Sequence, residues 1–111
     1  MIDFNIEKII PVCEEFGLSL DKTAIERLNT YGNLLIEWNK KINLTAITEP
    51  QEVLYKHFLD CLLFFKNVSV KPNAEIIDVG TGAGFPGVVL KIARPDINLT
   101  LLDGLNKRLV F

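Results

Sequence analysis

Residues 76–87 read IIDVGTGAGFPG, an apolar run that contains an acid and leads into four glycines and a proline. Each glycine costs conformational entropy on folding, so four of them in twelve residues require a reason. A strand that ends in a glycine turn and continues as a helix can bring bare backbone and the first helical N–H groups against a ligand. The stretch therefore predicts a strand, a ligand-binding turn and a helix.

The residues on either side extend this pattern into a βαβ unit. A polar connector at residues 67–73 precedes it, and the apolar runs at 74–79 and 97–102 enclose a helical pattern at 88–93. Strand, helix, strand in this order indicates a parallel sheet. Two strands leave most of such a sheet unpaired, so we expect residues 73–111 to be the first part of an α/β domain whose remainder is absent.

Three segments before the connector place apolar residues at helical spacing: residues 4–16, 22–41 and 48–65. Pro11 predicts a kink or two short pieces in the first segment, and Gly17 is its expected C-cap. Ser19 or Asp21 is expected to cap the second helix. The sequence TEPQ at 48–51 predicts a capping box, with its proline in the first turn of the third helix.

The composition indicates a folded globular chain, with 49% hydrophobic and 23% charged residues among 111. Its net charge of −2 excludes a broad basic surface for nucleic acid but leaves a local patch open. Cys13 and Cys61 lie in apolar helical patterns without metal-ligand spacing, which predicts buried free thiols and no metal. Without a signal peptide or an apolar run that could span a bilayer, we expect a soluble cytoplasmic protein, with no membrane partner, and a monomer.

Two acidic residues, Asp78 before the glycines and Asp103 after the second strand, help to indicate which ligand the turn binds. Residues 82–87 satisfy the G-x-G-x-x-G pattern of dinucleotide-binding folds. Asp78, however, would repel a pyrophosphate and attract an ammonium, directly or through water. Asp103, after the second strand, is placed to accept hydrogen bonds from two ribose hydroxyls. S-adenosylmethionine fits this order better than NAD. An NAD(P)-dependent oxidoreductase and a plain βα turn, in which Asp78 caps the helix, remain alternatives.

Several motifs in order resemble one known family: NLTAI at 43–47, KHFLD at 56–60, DVGTGAGFPG at 78–87, RP at 94–95, and LD at 102–103 with KR at 107–108. They are similar to the bacterial ribosomal RNA small-subunit methyltransferase G family, also called glucose-inhibited division protein B. The resemblance covers nearly the whole chain. It implies a helical N-terminal segment over residues 1–72 and, from residue 73, the start of a Rossmann-like class I methyltransferase domain.

The resemblance also implies an activity, the transfer of a methyl group from S-adenosylmethionine to N7 of a guanine in 16S ribosomal RNA of the small subunit. It makes Asp103 the acid that binds the ribose. It places the following residues at the cofactor, either in contact with it or shaping its loop: Gly80, Gly82, Gly84, Phe85, Gly104 and Leu105. No catalytic base is assigned, because guanine N7 carries a lone pair and no proton.

Two further pairs of polar residues have open roles. His57 and Asp60 share one face of the third helix, where they contact RNA or the cofactor loop, or fasten the helical segment to the sheet as a hydrogen-bonded pair. Lys107 and Arg108 meet RNA phosphates or lie at a solvated helix start. A non-catalytic fragment is a further interpretation, and we expect the 111-residue chain alone to methylate nothing at a useful rate.

Overall fold

The computed structural model describes residues 2–40, 49–79 and 87–102. The first helical segment consists of two pieces, a 3₁₀ turn at Ile6–Ile9 and helix α1 at Ile10–Glu15. Pro11 lies in the first turn of α1, where its missing N–H removes no helical bond. Gly17, with φ of 81°, allows the next N–H to donate to the carbonyl oxygen of Cys13. The two-piece helix and the glycine C-cap are thus confirmed.

Helix α2 runs over Lys22–Asn39 and ends slightly before the predicted boundary. Its cap is Asp21, whose carboxylate accepts the backbone N–H of Ala24 at 2.8 Å. The side chain of Asn29 on this helix accepts the backbone N–H of Phe4 at 2.8 Å. That bond holds the N-terminal residues against α2. The Phe4 ring is fully buried in the interior.

Helix α3 covers residues 50–67 and changes its winding along the way. Its pieces are α-helical Pro50–Glu52, π-helical Val53–Leu59, α-helical Asp60–Leu62 and a last turn at Phe64–Asn67. The residue before the first turn is Glu49, whose side chain makes no capping bond, and Pro50 lies in the first turn as expected. The predicted capping box itself stays a prediction. Thr48, its expected cap residue, lies outside the described residues. The π-helical stretch, which has wider turns, was not predicted.

The strands form the predicted βαβ unit, with β1 at Glu75–Val79, helix α4 at Gly87–Ala93 and β2 at Asn98–Leu102. The two strands are parallel and neighbours in the sheet. Asp78 lies on the half-buried side of β1, whereas Val79 on the other side is 76% exposed. Mixed helices and a parallel pair of strands confirm the α/β class; the Rossmann-like topology stays a prediction.

A single hydrophobic core joins the helical segment to the βαβ unit. Buried side chains of α1, α2 and α3 pack in one cluster with Val89 and Ala93 of α4. The connector is fastened as well, because Arg94 binds Asp96 at 2.9 Å and Asp96 accepts the N–H of Asn73 at 2.9 Å. The guanidinium hydrogen bond holds the pKa of Asp96 well below its ordinary value. The division into domains at residue 72 stays a prediction.

Candidate functional site

The candidate site lies at the edge of the sheet where β1 and β2 both end. Val79 is the last residue of β1 and pairs with Leu102, the last of β2, so the chain leaves both strands at the same edge. Most of the predicted ligand residues follow these two points and lie outside the described residues: Gly80, Gly82, Gly84, Phe85, Asp103, Gly104 and Leu105. Lys107 and Arg108 also lie outside them.

Asp78 is the predicted site residue that the structure describes at this edge. Its Oδ2 accepts the backbone N–H of Gly87, the first residue of α4, at 2.9 Å. A Cβ on Gly87 would lie 2.7 Å from that oxygen and 3.0 Å from a methyl group of Leu101. Glycine is therefore required here by the close approach of strand and helix. The carboxylate caps the helix, as in the alternative interpretation of the sequence, and its predicted contact with a cofactor stays a prediction.

The charge of the Asp78 carboxylate affects two side chains of the helical segment. Tyr31 of α2 is 7% exposed, and Cys61 of α3 is half-buried. Burial raises the pKa of Cys61 to about 12, with smaller contributions from the negative charges of Asp60 and Asp78. Burial and then the charges of Cys61 and Asp78 raise the pKa of Tyr31. The sequence pattern placed Tyr31 only on an apolar stripe; no local signal relates it to Asp78.

An open cleft of about 590 Å³ runs along α3, lined by Lys56, His57, Asp60, Cys61, Leu63, Phe64 and Asn67. It contains both members of the predicted His57–Asp60 pair. Burial lowers the pKa of His57, and the charge of Asp60 offsets part of that effect. His57 is therefore neutral at pH 7 and suited to hydrogen bonding rather than to pairing with a phosphate. Its contact with RNA, with the cofactor loop or between segments stays a prediction.

The lowered pKa of His57 predicts a loss of stability in mild acid. The unfolded chain takes up a proton near pH 6.5, whereas the folded chain does so only at lower pH, so the free energy of unfolding falls as the pH drops from about 7.5 to 5.5. His57 is the single histidine. Urea denaturation at both pH values should show a smaller decrease for His57→Gln than for the unmodified chain. Equal decreases would contradict the prediction.

The two cysteines should be unreactive in the folded protein. Burial raises the pKa of Cys13 to about 11 and that of Cys61 to about 12, and both thiols are free. At pH 8 we expect their thiolate populations to be at least about a hundredfold below those of the unfolded chain. A disulfide exchange reagent should release colour slowly before denaturant is added and rapidly afterwards. Fast labelling of the native protein that disappears in Cys61→Ser would contradict this for Cys61.

The described residues, 2–40, 49–79 and 87–102, contain neither a candidate metal site nor a candidate membrane span. Within them, no group of three or more His, Cys, Asp or Glu side chains could hold a metal ion. No helix in this part of the chain is long and apolar enough to cross a membrane.

Comparison with known proteins places the amino-acid sequence in a family. The family model GidB, described as rRNA small subunit methyltransferase G, matches residues 24–111, which include the whole glycine stretch. The chain belongs to this family. The resemblance inferred from the sequence motifs is therefore confirmed, and the match does not favour the NAD(P)-dependent oxidoreductase alternative.

Curated relatives agree with the family match, and each of the three that follow has the name ribosomal RNA small subunit methyltransferase G. The relative from Desulforamulus reducens is 57% identical over 98 residues, which are 87% of this chain and 40% of the relative. That from Alkaliphilus metalliredigens is 52% identical over 99 residues, 89% of this chain and 41% of the relative. The relative from Clostridium botulinum is 47% identical over 108 residues, which are 97% of this chain and 44% of the relative. The chain spans about two fifths of the length of these relatives.

Proposed function

We propose that the protein to which this chain belongs is an S-adenosylmethionine-dependent methyltransferase that modifies N7 of a guanine in 16S ribosomal RNA. The observation that carries the proposal is the family match over residues 24–111, in which the glycine stretch and its flanking strands are included. The names of the relatives support ribosomal RNA of the small subunit as the substrate. The cofactor, the guanine and its N7 atom are the finer parts of the proposal.

The described geometry is compatible with a nucleoside cofactor at the edge of the sheet. The carboxyl ends of β1 and β2 are adjacent there, as Val79 pairs with Leu102. Ligands of open α/β sheets bind outside the carboxyl ends of their strands. In the sequence these ends are followed by residues 80–86 and by Asp103. We assign the backbone contacts with the cofactor to the former and the bonds to the ribose hydroxyls to Asp103. The close packing of Gly87 on Asp78 brings α4 directly up to β1 at this edge.

The reaction that we propose needs no proton transfer from a side chain. S-adenosylmethionine, when bound, supplies a methyl group on a positive sulfur; the N7 lone pair forms the new bond as the carbon–sulfur pair returns to sulfur. The protein then contributes alignment of the two reactants, which is worth roughly 7–11 kcal/mol in favourable cases. We accordingly assign positioning roles at the edge of the sheet and no general base.

Calorimetry and methyl transfer test the two parts of the proposal. The protein, produced at the length of its relatives, should bind S-adenosylhomocysteine, and Asp103→Ala should weaken that binding at least about tenfold because hydrogen bonds to a charged acceptor are lost. Asp96→Ala, at the other edge of the sheet, is the matched control and should leave the affinity unchanged. Binding of NADH alone would favour the oxidoreductase alternative and end the proposal.

The substrate assignment is tested on ribosomal particles. Small subunits that lack the modification should accept labelled methyl groups from S-adenosylmethionine, and digestion of their 16S RNA should yield N7-methylguanosine. The 111-residue chain alone should transfer none at a useful rate. If the labelled methyl groups appeared in ribosomal protein or in large-subunit RNA instead of 16S RNA, this would contradict the proposed substrate, even if the protein binds the cofactor.

A further inference from the structure

The Asp78 carboxylate joins the two ends of the glycine stretch. Asp78 belongs to β1, one residue from its end, and the Gly87 N–H that it binds at 2.9 Å is the first of α4. The intervening chain thus leaves the strand and enters the helix at two points that one hydrogen bond holds together. Such a bond reduces the number of conformations that the segment must lose on binding a ligand.

The charge of this carboxylate reaches two side chains of the helical segment. Tyr31 and Cys61 lie close enough for its charge to raise the pKa of each. Both groups are neutral at pH 7 because their own burial favours the neutral form. Neither carries a charge that would pair with the carboxylate, which is compatible with a carboxylate that acts chiefly as a hydrogen-bond acceptor for the backbone.

We propose, on the basis of the proposed function, that Asp78 is a positioning residue for cofactor binding. Its side chain holds the Gly87 N–H at the end of the glycine stretch, a contact that we call the clamp, instead of pairing with a charge on the ligand. This role requires an acceptor oxygen and not a negative charge. Asparagine supplies such an oxygen in nearly the same shape. Asp78→Asn therefore distinguishes the two roles. An amide can replace the carboxylate as acceptor of the Gly87 N–H, but it cannot replace a carboxylate that pairs with an ammonium.

The decisive comparison is between Asp78→Asn and Asp78→Ala in the protein at the length of its relatives. We expect the first to bind S-adenosylhomocysteine within about threefold of the unmodified protein and the second about tenfold more weakly, as for loss of a helix cap. Asp96→Ala controls for a lost carboxylate that binds a backbone N–H elsewhere; it should lower the melting temperature without changing the affinity. Equal losses in both Asp78 variants would overturn the proposal in favour of ligand pairing.

Gly87→Ala provides a second route to the same clamp. Its Cβ would stand 2.7 Å from Oδ2 of Asp78 and displace the carboxylate. We expect a loss of affinity at least as large as that of Asp78→Ala. The two combined should lose less than the sum of the single losses, because both remove the same hydrogen bond, whereas the contact with Leu101 is specific to Gly87→Ala. Full additivity of the two losses would mean that they act separately and would overturn the clamp.

Amide hydrogen exchange separates this inference from the proposed function, because it needs no ligand. The Gly87 N–H should exchange slowly in the unmodified protein and in Asp78→Asn, and at least about tenfold faster in Asp78→Ala. Unchanged exchange in Asp78→Ala would overturn the clamp even if the cofactor binds. Slow exchange in a protein that binds no S-adenosylhomocysteine would instead retain the clamp as a structural bond and refute both its role in binding and the proposed cofactor.

Discussion

Substitution of Phe58 by alanine is expected to lower the free energy of unfolding by about 3–5 kcal/mol. The ring is fully buried on α3. It lies between the ring of Phe4, with centroids 6.1 Å apart and tilted, and the ring of Tyr31, with centroids 6.0 Å apart and stacked. Its removal leaves a cavity where the N-terminal residues, α2 and α3 meet, and forfeits both aromatic contacts.

Urea denaturation followed by circular dichroism measures this loss. Phe64→Ala is the matched control, because Phe64 lies on the same helix at the open cleft and is only half-buried. We expect the control to lose less than half as much stability. A loss below about 1 kcal/mol for Phe58→Ala would mean that the core collapses around the missing ring, and would contradict the tight packing described for these three rings.

The features that sequence patterns predicted well are those with local causes. Pro11, which predicted two short pieces, Gly17 after them and Asp21 before the next helix all act within one turn of the backbone, and the structure confirms each. The βαβ unit was equally accessible, because its apolar runs are short and are separated by glycine and proline. The capping box stays a prediction, because Thr48, its expected cap residue, lies outside the described residues.

The features that escaped prediction depend on contacts between distant parts of the chain. The π-helical stretch Val53–Leu59 has no composition that marks it. Tyr31, Cys61 and Asp78 come from three elements, and only the packing of α2 and α3 on the βαβ unit brings them together. Asp78 illustrates the limit: the sequence left both a ligand contact and a helix cap open, and the structure was needed to show the bond to Gly87.

The shared core bears on how the chain folds. Val89 of α4 is fully buried in the same cluster as Leu28, Phe58 and other side chains of the helical segment. A cut at the connector would therefore expose apolar surface on both sides, which costs free energy in proportion to its area. The change in composition at residues 67–73 indicates a change of secondary structure. It does not indicate that the segments before and after the connector pack together.

Gly32→Ala should destabilise the protein, although alanine is the better helix former. In the middle of a helix, glycine is less favourable than alanine by roughly 0.5–1 kcal/mol, so at an uncrowded position of α2 the substitution would stabilise. At Gly32 the new Cβ would lie 2.7 Å from two carbons of the Phe4 ring. That ring is fully buried and packs on Phe58, and the backbone N–H of Phe4 is held by Asn29.

Because Phe4 is held in this way, we expect its displacement to outweigh the gain in helix propensity, with a net loss of about 1–3 kcal/mol in the free energy of unfolding. The double variant Phe4→Leu with Gly32→Ala tests the cause, since the smaller side chain leaves room for the methyl group. Adding Gly32→Ala should cost less in the Phe4→Leu background than in the unmodified chain. Stabilisation by Gly32→Ala alone would show that the ring moves aside freely, and that the contact between the N-terminal residues and α2 is looser than its hydrogen bonds imply.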